Sequence, residues 1–123
     1  MKISGENKGG VEVTNEFGVS LDSNGYAPSI LTGDDASCYV CYYPVTARHE
    51  VFFGNKRELS KRYGLWLPLC APHGDFAGHH DEQHKDALKR AYIQQMAQRK
   101  AMAVYGWSIE DFTRIFGKNY LED

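Results

Sequence analysis

Two short pairs of potential metal ligands constrain this chain more than any other feature of its sequence. Cys38 and Cys41 form a C-x2-C pair. Further along the chain, Cys70 and His73 form a C-x2-H pair. The side chains of each pair can converge on one ion, and four sulfur or nitrogen ligands suit tetrahedral zinc. We therefore predict that these four residues hold a structural Zn²⁺ ion; the alternative is two buried thiols and one exposed thiol without a metal.

Size and composition predict a single compact domain with a packed core. The chain has 123 residues, of which 42% are hydrophobic. Its three cysteines are an odd number, which argues against a disulfide framework. The longest apolar runs, such as Val51–Phe53 and Leu65–Cys70, fall far short of the roughly 20 residues that cross a bilayer. With no hydrophobic leader at the N-terminus, we expect a cytoplasmic protein that does not associate with membranes.

Charge is distributed unevenly along the chain. Residues 1–37 carry a net charge of −4, whereas residues 38–105 carry ten basic and six acidic side chains and a net charge of +4. The basic middle section permits binding to the phosphates of a nucleic acid. The candidates for backbone contacts lie on one predicted short helix, although a solvated helix face would look the same: Lys56, Arg57, Lys61 and Arg62.

The hydrophobic pattern predicts an α+β fold. The expected order is a strand at 48–53, a short helix at 56–63, a strand at 65–69, a long helix from Asp81 to Tyr105 and a short helix at 109–116. Residues spaced i, i+3, i+4 and i+8 should form the buried face of the long helix: Leu88, Ala91, Tyr92 and Met96. Residues 1–20 are predicted to form an acidic arm or a marginal hairpin, and residues 21–123 a single zinc-containing domain.

Histidines flank the predicted zinc site on both sides. His49 lies on the first predicted strand, and His79 and His80 lie at the start of the long helix. A zinc ion that joins the two ligand pairs would bring His49 close to His79 or His80. A strand His opposite a metal ligand on a helix is the plan of a ββα-metal nuclease, in which the strand His accepts a proton from water. We expect Mg²⁺ or Mn²⁺ to be held there by His79 or His80.

Several segments in matching order resemble a known family. They are Asn24–Leu31 (NGYAPSIL), Cys38–Cys41, Arg48–Gly54 (RHEVFFG), Arg57–Leu65 (RELSKRYGL), Pro68–His73 (PLCAPH) and Ile115–Leu121 (IFGKNYL). The chain resembles, over about residues 21–121, short prophage-encoded proteins related to the HNH-type, RecA-dependent recombination-enhancement nucleases of phages. The resemblance implies a zinc-stabilised ββα-metal (HNH-like) core, with a long C-terminal helix and a short helix docked behind it.

The resemblance also implies a function and assigns residues to it. It implies a metal-dependent DNA endonuclease or nickase that acts in recombination or packaging, with DNA and a recombination or phage protein as expected partners. His49 matches the strand His of the HNH-type motif and is the expected general base, with Arg48 as a phosphate contact. If His49 is instead a metal ligand, Glu50 occupies the position of the base. The alternative functions are a non-catalytic zinc module that binds nucleic acid or a phage or host protein, and a small protein whose zinc only replaces a missing core.

Overall fold

The computed structural model describes residues 13–33 and 36–121, and residues 1–12 of the predicted N-terminal arm or hairpin lie outside them. Within these residues the chain is a small α+β fold with one two-stranded sheet and four α-helices. The elements are β1 (Thr46–Glu50), a 3₁₀ turn (Gly54–Lys56), α1 (Arg57–Arg62), β2 (Trp66–Cys70), α2 (His79–Lys85), α3 (Ala87–Tyr105) and α4 (Ile109–Phe116). No helix of the described part combines the length and the hydropathy that crossing a membrane requires.

The two strands form an antiparallel hairpin that is shorter than the sequence predicts at its first strand. Thr46 pairs with Cys70, and His49 pairs with Leu67. β1 ends at Glu50 rather than at position 53, because the backbone N–H and C=O of Phe52 form hydrogen bonds with the Ser60 side chain instead of with a strand. Ser60 Oγ accepts from Phe52 N at 3.0 Å and donates to Phe52 O at 2.6 Å. The chain thereby leaves the sheet after Glu50, and the side chain of Phe52 is buried in the core.

Aromatic and aliphatic side chains from the hairpin, α3 and α4 share one core. Phe52, Leu65 and Leu67 are almost fully buried in it. Phe112 and Phe116 of α4 stack with centroids 4.6 Å apart and cover Phe52. A capping box begins α4, since Ser108 and Asp111 exchange side-chain to backbone hydrogen bonds. No described residue of α2 belongs to that hydrophobic core, although α2 packs against both strands of the hairpin.

The long helix expected from Asp81 to Tyr105 is in fact two helices. Asp86 has an extended backbone (φ −102°, ψ 104°) and separates α2 from α3. Its carboxylate accepts hydrogen bonds from the backbone N–H groups of Leu88 and Lys89, each at 3.1 Å, which is an N-cap for α3. The sequence does not reveal this N-cap, because the polar residues around Asp86 are equally compatible with one continuous helix.

The buried face of α3 also differs from the prediction. Leu88 is 85% exposed and Tyr92 is 68% exposed, so most of the stripe expected in the core faces outward, whereas its last residue, Met96, packs against the core as predicted. The buried residues lie on another face of the helix: Ile93, Ala97, Gln98 and Ala101. Gln98 is accommodated there because its amide bonds Asn119 Oδ1 at 2.8 Å and the backbone N–H of Tyr120 at 2.7 Å.

The described part of the N-terminal segment packs on the rest of the domain. Asn15 is buried and donates from its side chain to Arg62 O at 3.0 Å. Glu16 accepts hydrogen bonds from Arg62 and Tyr63, while the Phe17 ring lies 4.5 Å from that of Tyr105. Buried polar contacts and ring contacts therefore hold residues 15–17 on α1 and the end of α3.

Candidate metal centres and the adjoining cleft

Three cysteines and one histidine meet at the end of the hairpin. Cys38, Cys41, Cys70 and His79 place their ligand atoms within 4.8 Å of one another, close enough to hold a metal ion. His79 Nδ1 lies 3.5 Å from Cys38 Sγ and 3.3 Å from Cys70 Sγ, and the sulfurs of Cys41 and Cys70 are 3.9 Å apart. Backbone N–H groups of Val40 and His79 donate to two of the sulfurs. We call these four residues the cysteine-rich cluster.

The fourth member of the cluster is His79, which corrects the prediction of His73. Backbone hydrogen bonds in both directions between His73 and Phe76 close a tight turn directly after β2. That turn lays the His73 ring on Tyr43, stacked with centroids 3.7 Å apart and nearly parallel. His73 therefore stacks on an aromatic neighbour and lies outside the cysteine-rich cluster, and its Nε2 has no hydrogen-bond partner among the described residues.

Gly78 lets the chain return to the cysteines after this turn. Its φ of +101° lies in a region that side chains rarely adopt, and a Cβ built on it would lie 2.5 Å from Cys70 O. The following residue, His79, then has its own N–H 3.2 Å from Cys70 Sγ. A glycine at this position therefore brings a helix N-terminus into contact with the end of a strand.

A second cluster consists of three histidines from β1 and α2. His49, His80 and His84 place ligand atoms within 4.8 Å of one another, and we call them the histidine cluster. Their ring centroids are 5.0 to 5.4 Å apart. The sequence pointed to His80 as a candidate ligand. His84 was missed, although its position one turn after His80 puts both on one helix face.

Burial favours the neutral form of two imidazoles of this cluster, those of His49 and His80. His49 is 1% exposed, and burial, together with the neighbouring His84 and His80, lowers its pKa to about 4. Burial and His84 also lower the pKa of His80. Among the described residues, Nδ1 of His49 has no hydrogen-bond partner. Neutral imidazole is the form that binds metals, and an unpartnered buried nitrogen costs free energy unless a ligand uses it.

An open cleft of about 590 Å³ adjoins the histidine cluster. Its wall contains His80 and His84 but not His49, and the other lining residues are Asn24, Tyr26, Ala47, Arg48, Glu50, Arg57 and Lys61. Three cationic side chains and one carboxylate therefore face the same space as two of the histidines. A phosphate ester in the cleft would lie beside the histidine cluster and within reach of positive charge.

The basic residues predicted to follow a nucleic-acid backbone do not form one row. Arg57 and Lys61 line the cleft, whereas Lys56 lies beside Gly117 and Arg62 pairs with Glu16. Arg57 Nε is 2.9 Å from Glu50 Oε1, and Lys61 Nζ is 3.4 Å from Glu58 Oε2. Arg48 of β1 lines the cleft as well. It precedes His49 on the strand, so the two side chains point to opposite faces of the sheet.

Glu50 is held ionised at the cleft wall. Burial raises the pKa of its carboxyl group, but hydrogen bonds from Tyr26 and Arg57 outweigh burial and lower the pKa below its ordinary value. The Tyr26 hydroxyl donates to Oε2, and Arg57 Nε donates to Oε1. A carboxylate fixed in this way can accept a further hydrogen bond from a molecule in the cleft.

Comparison of the chain with protein-family models, with curated proteins and with solved structures finds no match. The resemblance to HNH-type phage nucleases therefore stays a prediction from the sequence, and the function has to be argued from the two clusters and the cleft.

Proposed function

We propose that this protein is a metal-dependent phosphodiesterase that nicks or cleaves DNA, with the histidine cluster as its catalytic metal site and the cysteine-rich cluster as a structural zinc site. The observation that supports this most directly is the position of the histidine cluster at the wall of a cleft lined by Arg48, Arg57 and Lys61. A candidate metal site therefore adjoins a surface whose positive charges can bind a phosphate.

The geometry of the cysteine-rich cluster favours zinc. In a tetrahedral site with ordinary zinc bond lengths, two sulfurs are about 3.8 Å apart and a sulfur and a nitrogen about 3.5 Å apart. The distance from Cys41 Sγ to Cys70 Sγ is 3.9 Å, and His79 Nδ1 lies 3.3 Å and 3.5 Å from two sulfurs. Four protein ligands leave no position for a substrate, which is typical of a structural site.

The histidine cluster has the composition of a catalytic site instead. Three protein ligands leave a coordination position open, and the exposed His84 lies on the cleft side. Imidazole nitrogens suit Zn²⁺, Fe²⁺ and Ni²⁺, whereas Mg²⁺ prefers oxygen ligands. We therefore infer an ion that prefers nitrogen ligands at this site, in place of the Mg²⁺ or Mn²⁺ expected from the sequence.

The residues of the cleft and of the histidine cluster would have separate roles in phosphodiester hydrolysis. A metal ion at the histidine cluster would act as a Lewis acid on the phosphoryl group and lower the pKa of water. Arg48, Arg57 and Lys61 bind the phosphates and hold the scissile group beside that site. Glu50, already ionised at the wall, accepts the proton of the attacking water. His49 is too deeply buried for this role, which favours the alternative in which it is a ligand.

A non-catalytic module that binds nucleic acid is the second candidate. Each cation of the cleft already has an acidic partner: Arg48 pairs with Asp22, Arg57 with Glu50 and Lys61 with Glu58. This neutralisation limits the affinity for phosphates and suits a protein that engages its target together with a partner.

Nicking of supercoiled and single-stranded DNA, assayed with Zn²⁺, Co²⁺, Ni²⁺, Mn²⁺ and Mg²⁺ in turn, tests the proposal. The informative variants are His84→Ala, which removes an exposed ligand, and Glu50→Gln, which removes the proton acceptor. The matched control is His73→Ala, since His73 belongs to neither cluster. We expect Glu50→Gln to lose about 10²- to 10⁴-fold in rate and His73→Ala to keep its activity.

Two other results are informative. Cleavage that survives both His84→Ala and Glu50→Gln would place the reaction elsewhere and refute the assignment. DNA binding without cleavage under every metal would favour the non-catalytic module.

A further inference from the structure

Two consecutive residues of one short helix belong to different metal clusters. His79 is the first residue of α2 and a member of the cysteine-rich cluster. His80 and His84 lie on the same helix and belong to the histidine cluster. The backbone between positions 79 and 80 is therefore the direct connection between the two candidate sites.

The hairpin connects the same two sites from the other side. Cys70 is the last residue of β2 and pairs with Thr46, whereas His49 lies on β1 and pairs with Leu67. Each cluster therefore joins a donor on the hairpin to a donor on α2: Cys70 to His79 in one, and His49 to His80 and His84 in the other. An ion in either cluster would fix α2 against the hairpin.

Contacts with α3 hold the C-terminal turn of α2, where the Arg90 guanidinium donates to two backbone carbonyls and Lys89 forms an ion pair. Little of the helix is buried. Of its seven residues only Gln83 is buried, and the Oε1 atom of that side chain has no hydrogen-bond partner among the described residues. The N-cap is Gly78, which supplies no side-chain hydrogen bond, and Asp86 interrupts the connection to α3. A helix of this length is not stable alone in water. Its docking on the hairpin, as distinct from its link to α3, therefore depends on its ligand side chains.

We propose that the two clusters bind metal with positive cooperativity, and that His79 is the positioning residue through which the cysteine-rich cluster prepares the histidine cluster. The two states are α2 docked on the hairpin and α2 undocked. Metal at the cysteine-rich cluster requires the docked state, since His79 reaches the sulfurs only there. The ordering of His80 and His84 is then complete before the second ion arrives, so that ion binds more tightly. This inference rests on the metal site of the proposed function and not on hydrolysis.

The test is a calorimetric titration of Ni²⁺ into the full-length protein loaded with a single equivalent of zinc, which the thiolates of the cysteine-rich cluster bind first. Imidazole ligands suit Ni²⁺, so the histidine cluster is left free to bind it. We expect His79→Ala to weaken the Kd of the histidine cluster for Ni²⁺ by about 5- to 150-fold, the usual range of coupling between sites. His79→Cys restores a fourth ligand to the zinc site and should recover most of this loss. His73→Ala should bind Ni²⁺ as the wild type does.

A reciprocal measurement keeps the inference testable even if His79→Ala fails to fold. Coupling is mutual, so Ni²⁺ should tighten zinc at the cysteine-rich cluster of the wild type by the same factor, measured by competition with a chelator. His84→Ala removes a ligand from the histidine cluster alone and should abolish that increase. If the wild type binds no Ni²⁺ beside its zinc, the proposed catalytic site itself is wrong. If Ni²⁺ binds but neither measurement shows an effect of one site on the other, the site stands and the coupling is refuted.

Discussion

Arg48 and Asp22 form an ion pair beside the cleft, with Nη1 3.0 Å from Oδ2, while the guanidinium lies 4.2 Å above the ring of Tyr26. Both side chains are about 40% exposed, so the pair contributes little to stability. Its effect is on the cleft, because Asp22 neutralises the charge that would meet a phosphate.

We therefore predict that Asp22→Asn strengthens binding to DNA. With its partner removed, Arg48 can contact a phosphate, and the slope of log K against log salt should become steeper by about one. Fluorescence anisotropy at several salt concentrations measures both quantities. Glu110→Gln makes the same change in net charge on an exposed residue of α4 and is the matched control. Equal gains in the two variants would mean that only overall charge matters.

Metal removal should unfold the chain. A two-stranded hairpin is marginally stable by itself, and structural zinc contributes about 10–16 kcal/mol in small zinc domains. A typical domain is stable by only about 5–15 kcal/mol. We expect chelation, or Cys38→Ser, to abolish the cooperative thermal transition followed by near-ultraviolet circular dichroism. Added Zn²⁺ should restore it in the chelated wild type but not in the variant. An unchanged melting temperature after complete metal removal would contradict a structural role.

The Tyr26 hydroxyl should control the ionisation of Glu50. Burial alone would raise the pKa of the Glu50 carboxyl, and the hydrogen bonds from Tyr26 and Arg57 lower it. Tyr26→Phe keeps most of the burial and removes one hydrogen bond, so the pKa should rise. The protonated form would then persist to higher pH, and the acidic limb of any pH–rate profile would move upward with it. Carboxyl NMR titration measures the pKa directly, with Tyr92→Phe, a change at an exposed ring, as the control.

Gly78 and Gly74 offer a matched pair of substitutions. Both have positive φ, but a Cβ at Gly74 meets nothing within 4 Å, whereas a Cβ at Gly78 would lie 2.5 Å from Cys70 O. We expect Gly74→Ala to cost about 1–2 kcal/mol from backbone strain alone. Gly78→Ala should cost more and also weaken zinc binding, because the chain has to move His79 away from Cys70. Chemical denaturation and chelator competition measure the two effects. Equal costs in both variants would show that the contact with Cys70 O is relieved without moving His79.

The sequence predicts the three cysteines of the cysteine-rich cluster but not their histidine partner. The C-x2-C and C-x2-H spacings indicate a metal site on local geometry alone. His73 and His79 both lie within reach of Cys70 along the chain, and the choice between them depends on where the turn after β2 directs each ring. The stacking of His73 on Tyr43 and the close approach at Gly78 are tertiary contacts. No local pattern reveals them.

Helical periodicity predicts the existence of α3 but not its orientation. Apolar residues occur on two sides of this helix, and the stripe through Leu88 and Tyr92 follows the 3.6-residue period as well as the one through Ile93 and Ala97 does. Packing against Phe52 and α4 decides between them. For His84 a local signal was present, since His80 and His84 are four residues apart on a helix, as ligands of one ion often are.

The interruption at Asp86 has a consequence for local motion. Because α2 ends there and α3 begins with its own cap, α2 can open without breaking the hydrogen bonds of the longer helix. In protein that keeps a metal ion in the cysteine-rich cluster, amide hydrogen exchange in residues 82–85 should then slow when the histidine cluster binds its own ion. Exchange at Ala97 and Ala101, which are fully buried, should follow global unfolding instead. One helix of the pair thus reports on its ions and the other on the stability of the whole domain.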